Sequence, residues 1–253
     1  LSMENYSIQN NEDTFLIRNR NESIYIEFVL QAIYNPSSKE IKYYEILSRI
    51  ISSSGENYNN EDFFKNIDDT FLKMIAICQL KEAKRLSINK PISINLTLSC
   101  LLDTDFINEL IDRKNIGLAI EINDINSNFD CNLLFENIKK LQRSNIEIWL
   151  DDYHENHKLA NLSLGTINWD KIKIDKSFLH YNDYDIEAIR SLCFVLRPFT
   201  RTGFIFEGVE TYYQERLVRL SGSLSQGYFH SYPKKWSKHL SSQGYKHDKE
   251  KEI

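Results

Sequence analysis

The chain has 253 residues, of which 42% are hydrophobic, 26% charged and 12% aromatic, with 8 Gly and 4 Pro; this excludes disordered and collagen-like classes and leaves enough apolar side chain for a sizeable core in one domain or two. A formal net charge of −5 and a pI near 5.8 exclude a broad basic surface, so a nucleic-acid polymer is not an expected partner. Four cysteines, Cys78, Cys100, Cys131 and Cys193, stand apart with no C-x-x-C pair, which argues against a zinc site or a disulfide framework and fits reduced thiols in a cytoplasmic protein.

The first residues, "LSMENYSIQNNEDTF", are polar and acidic, unlike the basic start and apolar run of a signal peptide. Residues 1–20 read as an N-terminal extension, in which Leu1 and Ser2 ahead of Met3 look like a cloning remnant. No run of 18 apolar residues follows, so no membrane span is expected.

The stretch "IYIEFVLQAIY" (24–34) is strand-like, and with "EIKYYEIL" beyond an Asn-Pro-Ser-Ser turn it reads as a hairpin. The next segment places Phe63, Ile67, Phe71, Met74 and Cys78 at helical spacing, with Asn60 as its expected N-cap and Glu61 and Asp62 in an acidic first turn. Apolar or β-branched runs then recur at 92–98, 117–123, 146–150, 171–175 and 203–208, separated by amphipathic segments. Strands alternating with helices imply parallel β/α units, in a barrel or an open doubly wound sheet, and the hairpin adds one antiparallel strand to an otherwise parallel set. The barrel domain is expected over residues 21–240, followed by a charged, nearly apolar-free tail at 241–253.

The polar residues fall where the strands end. Glu45 lies in "YYEIL", Asn95 in "SINLT" and Glu121 in "AIEIN"; Asp151 and Asp152 end "IEIWL", Lys173 and Asp175 lie in "KIKID", and Glu207 follows "GFIF". One such residue is explained by structure alone, since an aspartate at a strand end stops the strand and caps the next helix. Together, at the C-terminal ends of parallel strands, they would share the barrel face on which active sites sit. Carboxylates that close repel one another and call for a cation. Oxygen donors without Cys or clustered His favour Mg²⁺ or Mn²⁺ over zinc. His154 and His157 in "HENH" read as polar loop surface.

In order and spacing, "YYEILSR", "ISINLT", "AIEIND", "IWLDDY", "KIKIDKSFL", "FEGVE" and "QGYFHSYP" resemble the motifs of EAL-domain cyclic di-GMP phosphodiesterases, from about Gln31 to Pro233. The signature tripeptide stands here as Glu45-Ile46-Leu47. The resemblance implies a modified TIM barrel with one antiparallel strand, an α/β fold, and hydrolysis of cyclic di-GMP to linear pGpG with Mg²⁺ or Mn²⁺, as a pair of ions. It implies Glu45, Asn95, Glu121, Asp151 and Asp152 as metal ligands, Lys173 as the lysine that contacts the attacking water, and Glu207 as the general base. Gln31 and Arg49 resemble substrate-contacting residues, and Gln226 resembles the glutamine that helps hold the site. A homodimer is expected, since the family commonly pairs.

This chain departs from the family in one loop. The family follows its aspartate doublet with Phe-Gly and a second glycine, whereas here Tyr153-His154-Glu155-Asn156-His157 follows, and glycine enters backbone conformations that other residues reach at a cost. Asp124 stands where the family has a glutamate that steadies this loop, so Asp124 and Tyr153 are candidates for coupling the loop to the site. "QAI" also replaces Gln-Pro-Ile. The rival reading is a catalytically weak member that binds cyclic di-GMP or a protein partner as a regulator. A sugar- or phosphate-handling barrel of another family would leave seven ordered motifs unexplained.

Overall fold

The computed structural model describes residues 7–11, 14–18, 23–52, 55, 59–65, 67–114, 116–125, 131–154, 156–182 and 185–235. The tail expected at 241–253, Leu1 to Met3, and Glu155 lie outside them.

Asn35 makes the expected hairpin: its Oδ1 accepts from the backbone N–H of Ser37 (2.9 Å) and Ser38 (3.3 Å), an Asx turn that reverses the chain. Strands β3 (Ser23–Asn35) and β4 (Glu40–Ser52) pair antiparallel along their whole length on either side of it. After β4 come β5 (Ile92–Thr97), β6 (Leu118–Asp124), β7 (Ile146–Tyr153), β8 (Lys171–Ile174), β9 (Phe204–Phe206) and β10 (Leu224–Gln226), each parallel to the strand before it. β10 then pairs antiparallel with β3, so eight strands close into a barrel in which β3 is the antiparallel member. This decides between the barrel and the open sheet.

Other pieces lie along β3. The hairpin of β1 (Ser7–Asn11) and β2 (Thr14–Arg18) covers its first residues, and the two-residue β11 (Lys234–Lys235) pairs with Leu30 and Val29. Both hairpin strands thus continue the sheet, and β2 buries Phe15, Leu16 and Ile17.

Around the barrel run α1 (Asn60–Lys65), α2 (Asp69–Arg85), α3 (Thr104–Arg113), α4 (Asn132–Arg143), α5 (Lys158–Ser163), α6 (Lys176–Tyr181), α7 (Ile186–Leu196) and α8 (Tyr212–Ser221). The helix expected to run unbroken from an Asn60 cap is instead two. Asp68 caps the second by accepting from Phe71 N–H at 2.9 Å, and Asn60 Oδ1 accepts from Ile50 N–H across the loop. A second strong cap inside the pattern interrupts the helix, because an Asp in extended backbone competes with helical bonding.

The strand alternation sorts side chains into two shells. On β8, Ile172 and Ile174 point out into the large apolar layer between sheet and helices, while Lys171 and Lys173 point inward. Inside, Ile33, Ala119, Trp149 and Ile205 form a small apolar layer with Tyr43 and Leu224. It separates two polar ends. At the N-terminal end, Lys171 Nζ reaches Glu147 Oε2 (2.5 Å), Tyr43 OH (3.1 Å) and Thr202 Oγ1 (3.0 Å), and Glu147 also accepts from Tyr43 OH and Trp149 Nε1. Every member has a partner, the condition under which a buried polar network rigidifies a fold.

Candidate active site

At the C-terminal end, the alternation that sends Ile172 and Ile174 outward carries Lys173 to the middle of the barrel mouth, 1% exposed. Its Nζ lies 2.5 Å from Glu121 Oε2, 2.9 Å from Asp151 Oδ1, 2.9 Å from Glu207 Oε1 and 3.5 Å from Glu45 Oε2. Glu45 is braced further, since Asn95 Nδ2 donates to its Oε1 at 2.9 Å and Gln226 Nε2 donates to its Oε2. Residues from β4, β5, β6, β7, β8 and β10, together with Glu207 just past β9, therefore meet in one cluster.

Asp151 and Asp152 are adjacent, and in a regular strand their side chains would face opposite ways. They do not, because the β7–β8 register shifts: Leu150 opposes Ile172 and Tyr153 opposes Ile174, so two residues stand against Lys173 alone. This is a bulge, which re-aims a side chain. Asp152 takes φ 50°, a left-handed conformation that Asp tolerates better than most residues. One carboxylate oxygen from each of Asp151, Asp152 and Glu207 consequently lies within 4.8 Å of the others.

Two glycines set the remaining edges of the cluster. Gly208, after Glu207, has φ 64°, and a Cβ there would stand 2.4 Å from Lys176 Cβ. Gly227, after Gln226, lies against Val209, whose carbonyl oxygen would be 2.2 Å from a Cβ.

Five carboxylates against one ammonium shape the protonation of the cluster. Burial first, then the Asp151 and Asp152 charges, push Glu207 up to about 8 despite Lys173. Asp151 is pushed up to about 6 by burial, with Asp152 and Glu45 adding to it, and Asp152 is raised by burial at the more open rim. Glu121 and Glu45 diverge although both face Lys173. Glu121 is raised well above the carboxylate range by burial and by Glu45, whereas for Glu45 the effect of burial is outweighed by Lys173, Asn95 and Gln226, which hold it low. Burial opposes the charge on Lys173, but the surrounding carboxylates hold it well above the ordinary lysine range.

The donor set fits a hard divalent cation. Glu121 Oε1 is buried with no hydrogen-bond partner, and Asp151 Oδ1 has Lys173 at 2.9 Å but no aligned hydrogen bond. Buried oxygens left unpaired are costly, and oxygen-only donors suit Mg²⁺ or Mn²⁺. Asp151, Asp152 and Glu207 have the spacing to hold such an ion, with Glu121 and Glu45 beside them.

The structure brings together Glu45, Asn95, Glu121, Asp151, Asp152, Lys173, Glu207 and Gln226, and leaves other candidates outside this contact set. Gln31 pairs with Glu45 across β3 and β4. Arg49 lies further along β4, half-exposed, with contacts to Glu27 and to the Pro233 carbonyl. Asp124 is exposed at the end of β6. Tyr153 is buried and points outward, its OH donating to Asn161 Oδ1 at 2.9 Å, and His157 caps α5 by accepting from Ala160 N–H at 2.9 Å. His154 and His157 belong to no group of three metal-ligating side chains among the described residues. Asp175 was visible in sequence as the polar end of "KIKID"; it caps α6 through Ser177 N–H at 2.9 Å and adds its charge to that felt by Asp152.

Comparison with known proteins agrees with this architecture. The chain is 31% identical over 211 residues to the cyclic di-GMP phosphodiesterase TpdA of Vibrio parahaemolyticus serotype O3:K6 (strain RIMD 2210633), which covers 79% of the chain and 36% of TpdA; the chain thus spans about a third of that relative's length. The EAL domain protein of Listeria monocytogenes EGD-e superposes with a TM-score of 0.70 at 21% identity, covering 87% of this chain and 92% of the other. The manganese and cy-diGMP complex of Klebsiella pneumoniae BlrP1 superposes with a TM-score of 0.67 at 20% identity, covering 91% and 59%. The EAL domain family profile matches residues 17–233. With that match across most of the chain, and with the seven ordered motifs placed around one barrel mouth, the protein belongs to the EAL domain family.

Proposed function

We propose that the chain is a metal-dependent phosphodiesterase that hydrolyses one 3′ ester of cyclic di-GMP to give linear pGpG. The observation that carries this reading is the convergence of Asp151, Asp152 and Glu207 oxygens within 4.8 Å of one another, beside a lysine buried among them. A pair of Mg²⁺ or Mn²⁺ ions bound there would acidify water and offset the charge of a phosphate under in-line attack. Glu207 sits at the rim of the cluster with its side chain 19% exposed, so it can meet an incoming water and take its proton. Lys173 orients Glu207 and Asp151 and holds positive charge where the attacking oxygen becomes negative as its proton leaves. Asn95 and Gln226 fix the Glu45 carboxylate. Arg49 is the candidate phosphate contact, and Gln31, opposite Glu45 across β3 and β4, is a second candidate substrate contact. TpdA, by name a cyclic di-GMP phosphodiesterase, and the manganese complex of BlrP1 support the substrate and the metal.

The same reading carries a cytoplasmic homodimer and a protein partner that governs it. No helix among the described residues is long and apolar enough to cross a membrane.

One observation favours a receptor instead. The loop after Asp152 lacks the two glycines of the family and is tied down by the Tyr153–Asn161 bond and the His157 cap. Incubating the protein with cyclic di-GMP and Mn²⁺ and following pGpG by chromatography separates the two. Product formation supports the enzyme; intact dinucleotide with tight calorimetric binding replaces it with the receptor.

A further inference from the structure

Glu27 is a buried carboxylate outside the metal cluster, 4% exposed on β3. A buried carboxylate is stable only when paired, and it is paired twice. Arg49, its cross-strand partner on β4, brings Nη1 to 3.9 Å from Oε2, and Lys235 Nζ forms an ion pair with Oε1. Lys235 reaches this point because β11 lies alongside β3 at Leu30 and Val29. The residue just ahead of β11 is held as well, since Arg49 Nη2 donates to the Pro233 carbonyl at 3.4 Å.

The result is two cations on one buried anion. The side chains of Arg49 and Lys235 are 43% and 51% exposed, while Glu27 is enclosed. Arg49 lies on the same face of β4 as Glu45, two alternations along, so the excess positive charge stands on the strand that also feeds the acidic cluster. Cyclic di-GMP has two phosphodiesters. One would meet the ions at Asp151, Asp152 and Glu207; the other keeps its charge throughout and needs a positive partner.

Resting on the cyclic di-GMP reading above, we propose that Glu27 is a positioning residue that holds Arg49 and Lys235 together as the binding site for the phosphodiester that is not cleaved. Lys235 is then a substrate-binding residue supplied by the strand that closes over β3. A purely structural ion pair would not sense the ligand, whereas this arrangement places its cost in affinity.

The test compares wild type with Lys235→Met, Lys235→Arg and Glu27→Gln, using calorimetry with cyclic di-GMP in Ca²⁺ and steady-state kinetics in Mn²⁺. Lys235 is exposed and Glu27 keeps Arg49 beside it, so a thermal melt of Lys235→Met is expected to show the protein still folded. Lys235→Met is expected to weaken Kd and raise KM about tenfold, the scale of one charged hydrogen bond, with kcat nearly constant and a shallower dependence of Kd on salt. Lys235→Arg should restore both. Glu27→Gln should weaken binding as well, by releasing Arg49. If wild type binds cyclic di-GMP and Lys235→Met binds it equally well at every salt concentration, the pair is structural and the proposal is overturned. If wild type does not bind cyclic di-GMP at all, the substrate reading itself falls and takes this proposal with it.

Discussion

Asp151 and Asp152, consecutive in β7, present their carboxylates to one site because both oppose Lys173 across a bulge, with Asp152 at φ 50°. Asp152→Asn keeps a residue that tolerates this backbone and removes the charge. Mn²⁺ affinity should fall at least about tenfold, since a carboxylate ligand is lost while the fold is kept. Asp152→Val should in addition lower stability by about 1–3 kcal/mol, because a β-branched residue is strained at positive φ. Calorimetric Mn²⁺ titration and thermal melts check the pair; an Asn variant that binds Mn²⁺ like wild type would remove Asp152 from the ligand set.

Glu207 stands 2.9 Å from Lys173 at the open side of the cluster. Glu207→Gln keeps its shape and an oxygen that can still face an ion but cannot take a proton, so kcat should drop about a hundredfold or more, a far larger change than in Kd for cyclic di-GMP. In the wild type, Ca²⁺ should support binding but not turnover, since it takes more ligands in looser geometry than Mg²⁺. Turnover in Ca²⁺ equal to that in Mn²⁺ would rule out the assigned site.

The raised Glu207 carboxyl makes the metal-free protein pH-sensitive. Its folded value of about 8 lies above the ordinary 4.5, so the folded state binds the proton more tightly, and the stability this contributes is full below about 4.5 and lost as pH rises through about 8. His230 runs the other way: burial lowers it from 6.5 to about 4, so its contribution is full above 6.5 and lost as pH falls toward 4. Above about 6.5 His230 contributes no further change, and in the window from there to about 8 the fall belongs to Glu207 together with the raised Glu121 and Asp152 beside it. In EDTA, Tm should fall across that window, and the fall should shrink in Glu207→Gln and on adding Mn²⁺. A flat metal-free profile contradicts the assigned coupling.

Lys171 and Lys173 are two residues apart on one inward face, yet they should fail differently. Lys171→Met leaves Glu147 without its cation at the N-terminal end and should destabilise by about 2 kcal/mol, less than a fully buried pair because Glu147 is partly solvated. Mn²⁺ affinity should not change. Lys173→Met removes the sole ammonium in contact with Glu121, Asp151 and Glu207 among the described residues. Turnover should disappear, the metal-free protein should melt well below wild type, and Mn²⁺ should recover most of the loss. Urea melts with and without Mn²⁺ distinguish the two.

Much of this architecture is written locally in the chain. Alternation in "KIKI" places both lysines on one face, because side chains in a strand reverse direction at each residue. Asn35 ahead of Pro36 writes its own turn, through side-chain bonds to the backbone two and three residues on. Polar residues at successive strand ends mark the mouth, because parallel β/α units point those ends the same way. Other features need the closed barrel. β10 is three residues long, "LSQ", too short to show a period, and it is a strand because β9 and β3 offer it edges. The turn of Asp152 into the cluster depends on register against β8, which no local pattern encodes. The meeting of Glu27 with Arg49 and Lys235 depends on the chain returning to β3 some two hundred residues later. Period, caps and turns act over a few residues and can be read in order. Register, closure and long-range ion pairs are settled by the packing of segments distant in sequence, and those supplied the geometry of the site.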